Sequence, residues 1–389
     1  MTTHVFVVDE KTFKCHLEYL FVGTGATTKD VDFNNNPTTK LYSGKKHASE
    51  NGLVAMMADG ARIRKDDFII FYVQASKTNE GKFYGIFQAA SDDIFLERYC
   101  PTQYLLSNLG KNLTFRQCIK PYKVYSEGVT EWEALDEIKH LCAPQQMLWS
   151  LIYRKLRANR GNTMITLYEA KRLFNLIATK NHNAPFTQPI SGLTYNGSRI
   201  IVSSSNFSLY KGKKTPIVLL PRLAEKFSKG LAHESHLQQY IVQNIGKGTN
   251  LSLDDALKIH GKKIEWIGNE VACGVGMQRI DVMLSIKESE MESIVMPIEL
   301  KAVPVEVNTV FQLDRYIDWI EQYYTSNMPS TIQPVLICRG NSFVSSAISN
   351  SFLKFDTKHN GRCSPVAFIQ YDIFFDKSGI PSINFKKIK

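Results

Sequence analysis

The sequence predicts a multidomain α+β and α/β protein, in which a β-barrel-like domain, a helical linker and an α/β core with a mixed central sheet follow one another. The chain has 389 residues, more than one average domain holds. Short β-branched and aromatic runs dominate its first third, and apolar residues at helical spacing dominate the segment after it. In the last part, strand-like and helical patterns alternate. The predicted domains are residues 1–137, 138–228 and 229–389.

The charge of the chain points to a polyanionic partner. Lys and Arg outnumber Asp and Glu by 47 to 37, which gives a formal net charge of +10 and a pI near 9.1. Such a balance favours nucleic acid. Hydrophobic residues make up 43% of the chain, enough to form packed cores, so extensive disorder is not expected. Basic residues cluster at residues 45–46, 62–65, 154–160, 211–214, 262–263 and 386–389.

The cysteines and the N-terminal sequence indicate the compartment. The seven cysteines show neither a CxxC pair nor the His and Cys spacing of a zinc site, and their number is odd. This pattern favours reduced thiols and a cytoplasmic location. The first six residues lack a basic segment followed by an apolar one, and no apolar run reaches the length of a membrane span. We therefore expect neither a signal peptide nor a membrane partner.

Three strand-like runs define the first domain. They cover residues 4–8, 67–73 and 82–87, and Asn79-Glu80-Gly81 predicts a turn between the last two. The strings DDFIIFY from Asp66, FYGIF from Phe83 and LTFR from Leu113 resemble the PUA-like barrel group that includes EVE and YTH domains. Those barrels hold a modified or flipped base in an aromatic pocket. The resemblance therefore implies a DNA-reading domain.

Four residues of this domain are candidates for DNA contact. If a pocket exists, Trp132 and either Tyr72 or Tyr84 would stack on a base. Arg116 ends the third string and is a candidate for a DNA contact. An ordinary small β-barrel core explains the same aromatic residues equally well, and Trp132 at the domain boundary would then be a core residue.

The linker is predicted to contain two helices. Residues 147–156 and 167–178 carry apolar residues at helical spacing, and Thr166 with Glu169 has the form of a capping box. The polar, basic segment 157–162 lies between them. Two short helices with a basic turn could form a helix-turn-helix-like DNA contact, but the pattern favours a connecting bundle. Tyr195-Asn196-Gly197 further along predicts a β-hairpin.

Two neighbouring strands of the last domain carry the strongest functional pattern. Residues 279–286 and 293–301 are short apolar runs separated by a polar stretch, so they are predicted to pair. Asp281 lies on the first, and alternation places Glu299 and Lys301 on one face of the second. Two carboxylates suffice to hold Mg²⁺ when water and a substrate phosphate supply the other ligands. The ammonium would position, or help to deprotonate, the attacking water and offset phosphate charge.

Two amphipathic helices flank these strands. The helix predicted over residues 231–245 has Leu237, Ile241 and Ile245 on its apolar stripe, and Glu234 falls on the same stripe. A carboxylate on a buried face is costly unless it is paired or binds a metal, so Glu234 is expected to face the site. The helix predicted over residues 311–320 places Gln312 and Tyr316 one turn apart. Both would line the metal pocket or contact a phosphate.

This order of elements resembles the PD-(D/E)XK nuclease superfamily, whose core is a helix, a three-stranded meander, a second helix and a further strand. The resemblance covers about the last 160 residues and implies a restriction-endonuclease-like C-terminal core. It also implies that Asp281 and Glu299 bind metal, that Lys301 serves the attacking water, and that Glu234 and Gln312 occupy accessory positions, Glu234 as a further metal ligand. Ile280 stands where many members have proline.

The combined prediction is a cytoplasmic DNA endonuclease of restriction type (type II) that requires Mg²⁺, with Mn²⁺ able to substitute. A recognition domain before a cleavage domain suggests a modification-dependent enzyme. Double-stranded DNA is the expected partner, with Arg279 and Tyr316 as further contact candidates, and a homodimer is one arrangement that would cut both strands. The alternatives are a repair or mismatch endonuclease, a non-catalytic nucleic-acid-binding protein, and an exposed, salt-bridged Glu-x-Lys strand without catalytic function.

Overall fold

The computed structural model describes residues 1–25, 50–77, 79–92, 94–97, 103–135, 161–273, 278–290, 292–325, 330–340 and 344–389. They form two compact units, Met1–Ile217 and Val218–Lys389. Residues 162–217, which were expected in a separate linker, thus lie in the first unit. The reason is strand pairing, because Asn162–Ile165 pairs antiparallel with Thr3–Val8. The first predicted linker helix, residues 147–156, lies outside the described residues.

Nine strands of the first unit form one sheet, and a short hairpin lies apart from it. The elements in chain order are β1 (Thr3–Val8), α1 (Glu10–Tyr19), β2 (Phe21–Thr24), α2 (Glu50–Ala61), β3 (Phe68–Val73), β4 (Lys82–Ala89), β5 (Phe95–Leu96), α3 (Leu106–Leu109), β6 (Phe115–Pro121), β7 (Val129–Thr130), α4 (Glu131–Leu135), β8 (Asn162–Ile165), α5 (Leu167–Lys180), β9 (Leu193–Tyr195), β10 (Ile200–Val202) and β11 (Thr215–Pro216).

The large sheet is open among the described residues. Its strand order is β11-β5-β6-β4-β3-β1-β8, with β2 beside β6 and β7 beside β4. No pairing joins β8 to β11 or to β2, so these residues form no closed barrel, in contrast to the barrel-like domain expected from the sequence. Strand β1 pairs parallel with β3 on one side and antiparallel with β8 on the other, so β8 forms one end of the sheet.

Two local predictions for the first unit are confirmed, and one helix was missed. The capping box of α5 is confirmed, with Thr166 as N-cap and Glu169 as its reciprocal partner. The hairpin around Asn196-Gly197 is confirmed by the antiparallel pair β9 and β10. Helix α1 was missed by the prediction of a mostly β domain. Its start is encoded by Asp9, whose side chain accepts a hydrogen bond from the backbone N–H of Thr12 at 2.7 Å.

One of the basic clusters is internal. The guanidinium of Arg62 is fully buried and donates to His4, Asp59 and Asn162. His4 in turn contacts Asp67 at 3.1 Å. This buried network satisfies the charge of Arg62 within the protein. The cluster at residues 62–65 therefore does not present Arg62 to a polyanion.

The second unit is built around one mixed sheet. Its elements in chain order are α6 (Leu220–Ser228), α7 (Glu234–Asn244), α8 (Leu251–Ala256), β12 (Lys263–Ala272), β13 (Arg279–Lys287), β14 (Ser293–Lys301), α9 (Val307–Val310), α10 (Leu313–Trp319) with a π-helical turn (Ile320–Tyr324), β15 (Ser330–Ile332), β16 (Val335–Arg339), α11 (Ser346–Lys358), β17 (Ala367–Phe375) and β18 (Pro381–Lys387).

The strand order of this sheet is β12-β13-β14-β16-β17-β18, with β15 beside the start of β14. Strands β12 to β14 form an antiparallel meander, whereas β14, β16 and β17 run parallel. The predicted mixed sheet and the predicted order of helix, three strands, helix and strand are therefore present. The predicted apolar stripe of α7 is also present, because Leu237, Ile241 and Ile245 are buried in the core under the sheet.

Two further expectations can be compared with the described chain. Its five cysteines, at positions 15, 118, 273, 338 and 363, are free. Within the same part of the chain, none of the helices combines the length and the apolar character that crossing a bilayer requires.

Candidate functional site

The meander brings Asp281 and Glu299 together. The pairing of β13 with β14 is antiparallel, and its last register pair is Val282 with Ile298. One residue further, Asp281 lies beside Glu299. The backbone N–H of Leu300 donates to Asp281 Oδ2 at 2.8 Å, which ties this carboxylate to the neighbouring strand. The predicted convergence of two carboxylates therefore follows from the strand register.

Glu299 is held by two partners. Only 4% of the residue is exposed. Its Oε1 accepts a hydrogen bond from Lys301 Nζ at 2.6 Å, and its Oε2 accepts one from the hydroxyl of Tyr316 at 2.6 Å. The same hydroxyl lies 2.9 Å from the carbonyl oxygen of Arg279. Tyr316, predicted as a DNA contact or a residue of the metal pocket, is thus buried in the carboxylate site.

The pKa values of the cluster reflect an excess of negative charge. Burial, followed by the charge of Glu299, raises the pKa of Asp281 well above its usual range, and the Leu300 N–H only partly opposes this. Burial by itself would lower the pKa of Lys301. The nearby carboxylates of Glu299, Glu234 and Asp281 outweigh it, so the pKa of Lys301 is raised. Lys301 therefore carries its positive charge, as an ammonium ion, within this carboxylate cluster.

Glu234 lies at the start of α7 and is exposed, so the prediction that it lies on the buried stripe is wrong. The helix begins at this residue, and no preceding turn covers its side chain. The carboxylate accepts a hydrogen bond from the backbone N–H of Ala302, the residue after Lys301. Loss of hydration raises the pKa of Glu234, with Glu299 adding to the shift and Lys301 opposing it. Glu234 therefore faces the cluster from its rim.

The sequence interpretation missed Gln238 and Glu270. Gln238 is buried one turn after Glu234, and its Nε2 donates to the carbonyl oxygen of Asp281 at 2.9 Å and to Glu270 Oε1 at 3.2 Å. Glu270 Oε2 binds Arg279 Nη1 at 2.6 Å. Glu270 has a left-handed backbone with a φ of 52°. The antiparallel register of β12 and β13, which pairs Asn269 with Val282 and Val271 with Ile280, places Glu270 opposite Asp281.

The carboxylate oxygens of this cluster suit a hard cation. The number of side chains that could contact one ion limits how many ligands the protein itself supplies. Four carboxylates, those of Glu234, Glu270, Asp281 and Glu299, act electrostatically on one another around Lys301. In the part of the chain that the structure describes, no group of three or more His, Cys, Asp or Glu side chains is arranged to hold a metal ion. A hard cation at this cluster would have Asp281 and Glu299 as its protein ligands and would need water or phosphate oxygens for the others.

Gln312 supplies an unused polar atom at the second helix. It directly precedes α10, and its Oε1 is buried with no hydrogen-bond partner among the described residues. Buried amide oxygens are normally paired. The accessory position of Gln312 stays a prediction.

Replacing Tyr316 tests how much the site depends on this hydroxyl. We expect Tyr316→Phe to leave Glu299 Oε2 buried without its donor, which costs about 1–3 kcal/mol of unfolding free energy. The affinity for Mg²⁺ should fall about tenfold, as is typical when a group that orients a ligand is lost. Urea unfolding and calorimetric metal titration measure the two effects.

Tyr240→Phe is the matched control for Tyr316→Phe. It removes a tyrosine hydroxyl that accepts from Asn250 at 3.0 Å. It should change stability without changing metal affinity. Equal metal affinities for Tyr316→Phe and the wild type would contradict the role given to Tyr316.

Three of the four DNA-contact candidates in the first unit are core residues. The hydroxyl of Tyr72 donates to Glu131 and that of Tyr84 to the carbonyl oxygen of Ser198, and both rings are buried. A Cβ added at Gly81 would collide with Tyr72, and one at Gly128 would collide with Tyr84. The packing therefore leaves neither ring a face on which a base could stack.

Arg116 is also buried. Its guanidinium donates to the carbonyl oxygens of Leu113 and Tyr104 and lies over the ring of Phe21. The expected DNA contact by Arg116 is therefore wrong, because the guanidinium could reach a phosphate only if these contacts were broken. Trp132 differs from the other three, since 68% of it is exposed on the short helix α4.

The contrast between Trp132 and Tyr84 gives a second prediction. Trp132→Ala should change the unfolding free energy by no more than about 0.5 kcal/mol, as expected for an exposed side chain. Tyr84→Ala should cost about 3–5 kcal/mol, because it removes a buried ring. Chemical denaturation of both variants measures the difference. A large loss of stability in Trp132→Ala would show that Trp132 packs against other parts of the protein.

Comparisons with known proteins add little to this geometry. No protein-family model matches the chain, and no curated protein matches it. Among solved structures, the chain is similar to human THYN1 protein in complex with 5-methylcytosine-containing DNA. The identity is 8%, the TM-score is 0.24, and the match covers 48% of this chain and 100% of that chain. A TM-score of this size does not establish a common fold.

Proposed function

We propose that the second unit is a Mg²⁺-dependent DNA endonuclease of restriction type. The observation that carries the proposal is the arrangement of Asp281, Glu299 and Lys301 on two paired strands, with Glu299 fixed between Lys301 and Tyr316. The order of helix, meander, helix and parallel strand supports assignment to the PD-(D/E)XK nuclease superfamily.

The residues of the site have separable tasks. Asp281 and Glu299 would hold the metal ion, which, when bound, lowers the pKa of a water and offsets charge on the phosphate. Leu300 and Gln238 fix Asp281 through its side chain and its carbonyl oxygen, respectively. Tyr316 fixes Glu299 through a hydrogen bond to its side-chain carboxylate. The metal ligands are thereby held in place before any substrate arrives.

The raised pKa of Lys301 supports one of the two tasks that the sequence left open. An ammonium ion that three carboxylates stabilise does not give up its proton readily, so it is a poor general base. It donates hydrogen bonds instead. We therefore assign Lys301 to orienting the attacking water and to offsetting charge on the phosphate in the transition state.

DNA is proposed as the substrate because the chain carries an excess of ten positive charges, which suits a polyanion. The test is incubation of supercoiled plasmid with the wild-type protein in Mg²⁺, in Mn²⁺ and in EDTA. Nicking or linearisation in either metal and none in EDTA is the expected result. Intact plasmid under all conditions, with DNA still bound, would favour a non-catalytic nucleic-acid-binding protein.

The biological role within this class needs a second set of substrates. Duplexes that are unmodified, methylated or mismatched, but otherwise identical, separate three kinds of endonuclease. Preference for methylated DNA would indicate modification-dependent restriction, and preference for one unmodified site would indicate ordinary restriction. Preference for the mismatched duplex would instead indicate a repair enzyme.

A further inference from the structure

Arg339 ends the strand next to the Glu299 strand. Strands β14 and β16 are parallel, and their register pairs Lys301 with Cys338, the residue before Arg339. Parallel neighbours that are in register reach the same edge of a sheet with their carboxyl ends. Arg339 therefore lies at the same edge of the sheet as the end of β14 that carries Glu299 and Lys301.

The guanidinium of Arg339 is stacked but not neutralised. Its Cζ lies 4.0 Å from the centre of the Phe227 ring, and the side chain is half-buried. Among the described residues it has no carboxylate partner. By contrast, Arg279 pairs with Glu270, and Arg362 pairs with Asp318 and Glu321.

This combination is suited to an anion that is not part of the chain. A charge that is partly removed from water is unfavourable until an opposite charge reaches it. Stacking on Phe227 holds the guanidinium plane and leaves its N–H groups on the edge available. The planar fork of arginine matches two oxygens of a phosphate. The edge of the Arg339 guanidinium is therefore suited to bind an oxyanion.

The surroundings of Arg339 connect it with the carboxylate cluster. Arg339 pairs with Tyr371 in the sheet, and the hydroxyl of Tyr371 lies 2.8 Å from His233 Nε2. His233 directly precedes Glu234. Burial raises the pKa of Tyr371, while the charge of Arg339 opposes the shift and that of Glu234 adds to it. Both charges thus act on one buried tyrosine.

We infer that Arg339 binds a backbone phosphate of the nucleic-acid strand that enters the carboxylate site, with Phe227 as its stacking platform. The inference rests on the proposed function for the identity of the strand. It assigns Arg339 to binding and not to the chemical step. The contact is to the sugar–phosphate backbone, so it adds affinity for every sequence equally.

The test measures binding without cleavage. Fluorescence anisotropy in EDTA gives the Kd of labelled duplexes of unrelated sequence at several salt concentrations. Arg339→Ala should weaken binding about tenfold for each sequence and reduce the slope of log Kd against log salt by about one, as loss of one phosphate contact requires. Arg339→Lys should retain the slope and lose part of the affinity, because it keeps the charge without the fork.

Arg362→Ala is the matched control, since its guanidinium is already neutralised by two carboxylates. It should leave the Kd and the salt slope as in the wild type. Phe227→Leu, which removes the stacking ring, should weaken binding less than Arg339→Ala does. If Arg339→Ala is unstable by thermal unfolding, Arg339→Gln keeps the stem of the side chain and is used in its place.

The outcomes separate this inference from the proposed nuclease activity. Arg339-dependent binding together with intact plasmid in every metal would support the phosphate contact and reject the nuclease. Cleavage by the wild type, with equal Kd values and salt slopes for Arg339→Ala and the wild type, would overturn the phosphate contact. An equal loss in Arg362→Ala would overturn it too, as would a wild type that binds no duplex at low salt.

Discussion

Asp281→Asn is expected to lower the rate of metal-dependent DNA cleavage by about a thousandfold or more, because metal stabilisation of transition-state charge is worth several kcal/mol. The replacement keeps the size of the side chain and an oxygen that can accept from the Leu300 N–H. It removes the negative charge that attracts the cation. Single-turnover cleavage at saturating enzyme measures the loss, and full activity in Mg²⁺ would show that Asp281 is not a metal ligand.

The same variant should be more stable than the wild type near neutral pH. The pKa of Asp281 is raised in the folded protein, so the ionised carboxylate destabilises the fold at every pH above the pKa of an unfolded aspartate. This penalty is complete above the folded-state pKa and disappears below about pH 4, as the folded and the unfolded states both become protonated. The Tm of Asp281→Asn should therefore exceed that of the wild type at neutral pH and converge with it in acid.

Asp254→Asn is the control for this stability effect. Asp254 accepts backbone hydrogen bonds from Gly246 at 2.7 Å and Gly248 at 3.0 Å, one at each oxygen. An amide cannot accept both, so Asp254→Asn should lower the Tm and retain cleavage. A lower Tm in Asp281→Asn would indicate that the carboxylate cluster is not strained by its own charge.

Lys301→Met is expected to lower the cleavage rate about a hundredfold or more, the usual effect of removing a donor that stabilises transition-state charge. The affinity for Mg²⁺ should be retained or increased, because a cation next to Glu299 is removed while both carboxylates stay. Metal-induced increases in Tm report this affinity without activity. Lys358→Met, which removes an exposed lysine paired with Asp314, should leave both measurements unchanged.

Lys301→Arg separates the two tasks that a lysine can perform here. Arginine keeps the positive charge and the N–H donors but does not lose a proton in proteins. If Lys301 acts as a cation, as its raised pKa indicates, Lys301→Arg should retain far more activity than Lys301→Met. Equal inactivity of the two variants, together with a wild-type cleavage rate that rises with pH and a loss of that rise in Lys301→Arg, would identify Lys301 as the base instead.

The strands that carry the site could be predicted because their patterns leave few alternatives. Continuous runs of β-branched and apolar residues around Asp281 and Glu299 identify the two strands, and the polar stretch between them indicates the hairpin. Helix α7 was predicted for a similar reason, since Leu237 and Ile241 repeat at helical spacing and are buried. Periodicity, however, did not give the exposure of Glu234, which depends on where the helix begins.

Other features of the fold and the site depend on contacts between segments and could not be predicted from the pattern of one segment. An aromatic residue in a strand contributes equally to a core and to a ligand pocket, so burial of Tyr72 and Tyr84 could not be deduced from their alternation. The partners of Glu270 depend on pairing between strands, which a single strand's pattern does not contain. That Arg339 forms no ion pair with a carboxylate among the described residues likewise depends on segments far apart in sequence.

The register that joins β13 to β14 has a consequence for how such chains can change length over evolution. Val282, Leu284 and Ile286 pair with Ile298, Met296 and Ile294, and most of these side chains are in the core. A deletion of one residue inside either strand would turn Asp281 or Glu299 to the opposite face of the sheet. Insertions between Lys287 and Ser293 leave the pairing untouched. Length variation in descendants of this gene should therefore accumulate in that connection, while both strands keep their number of residues.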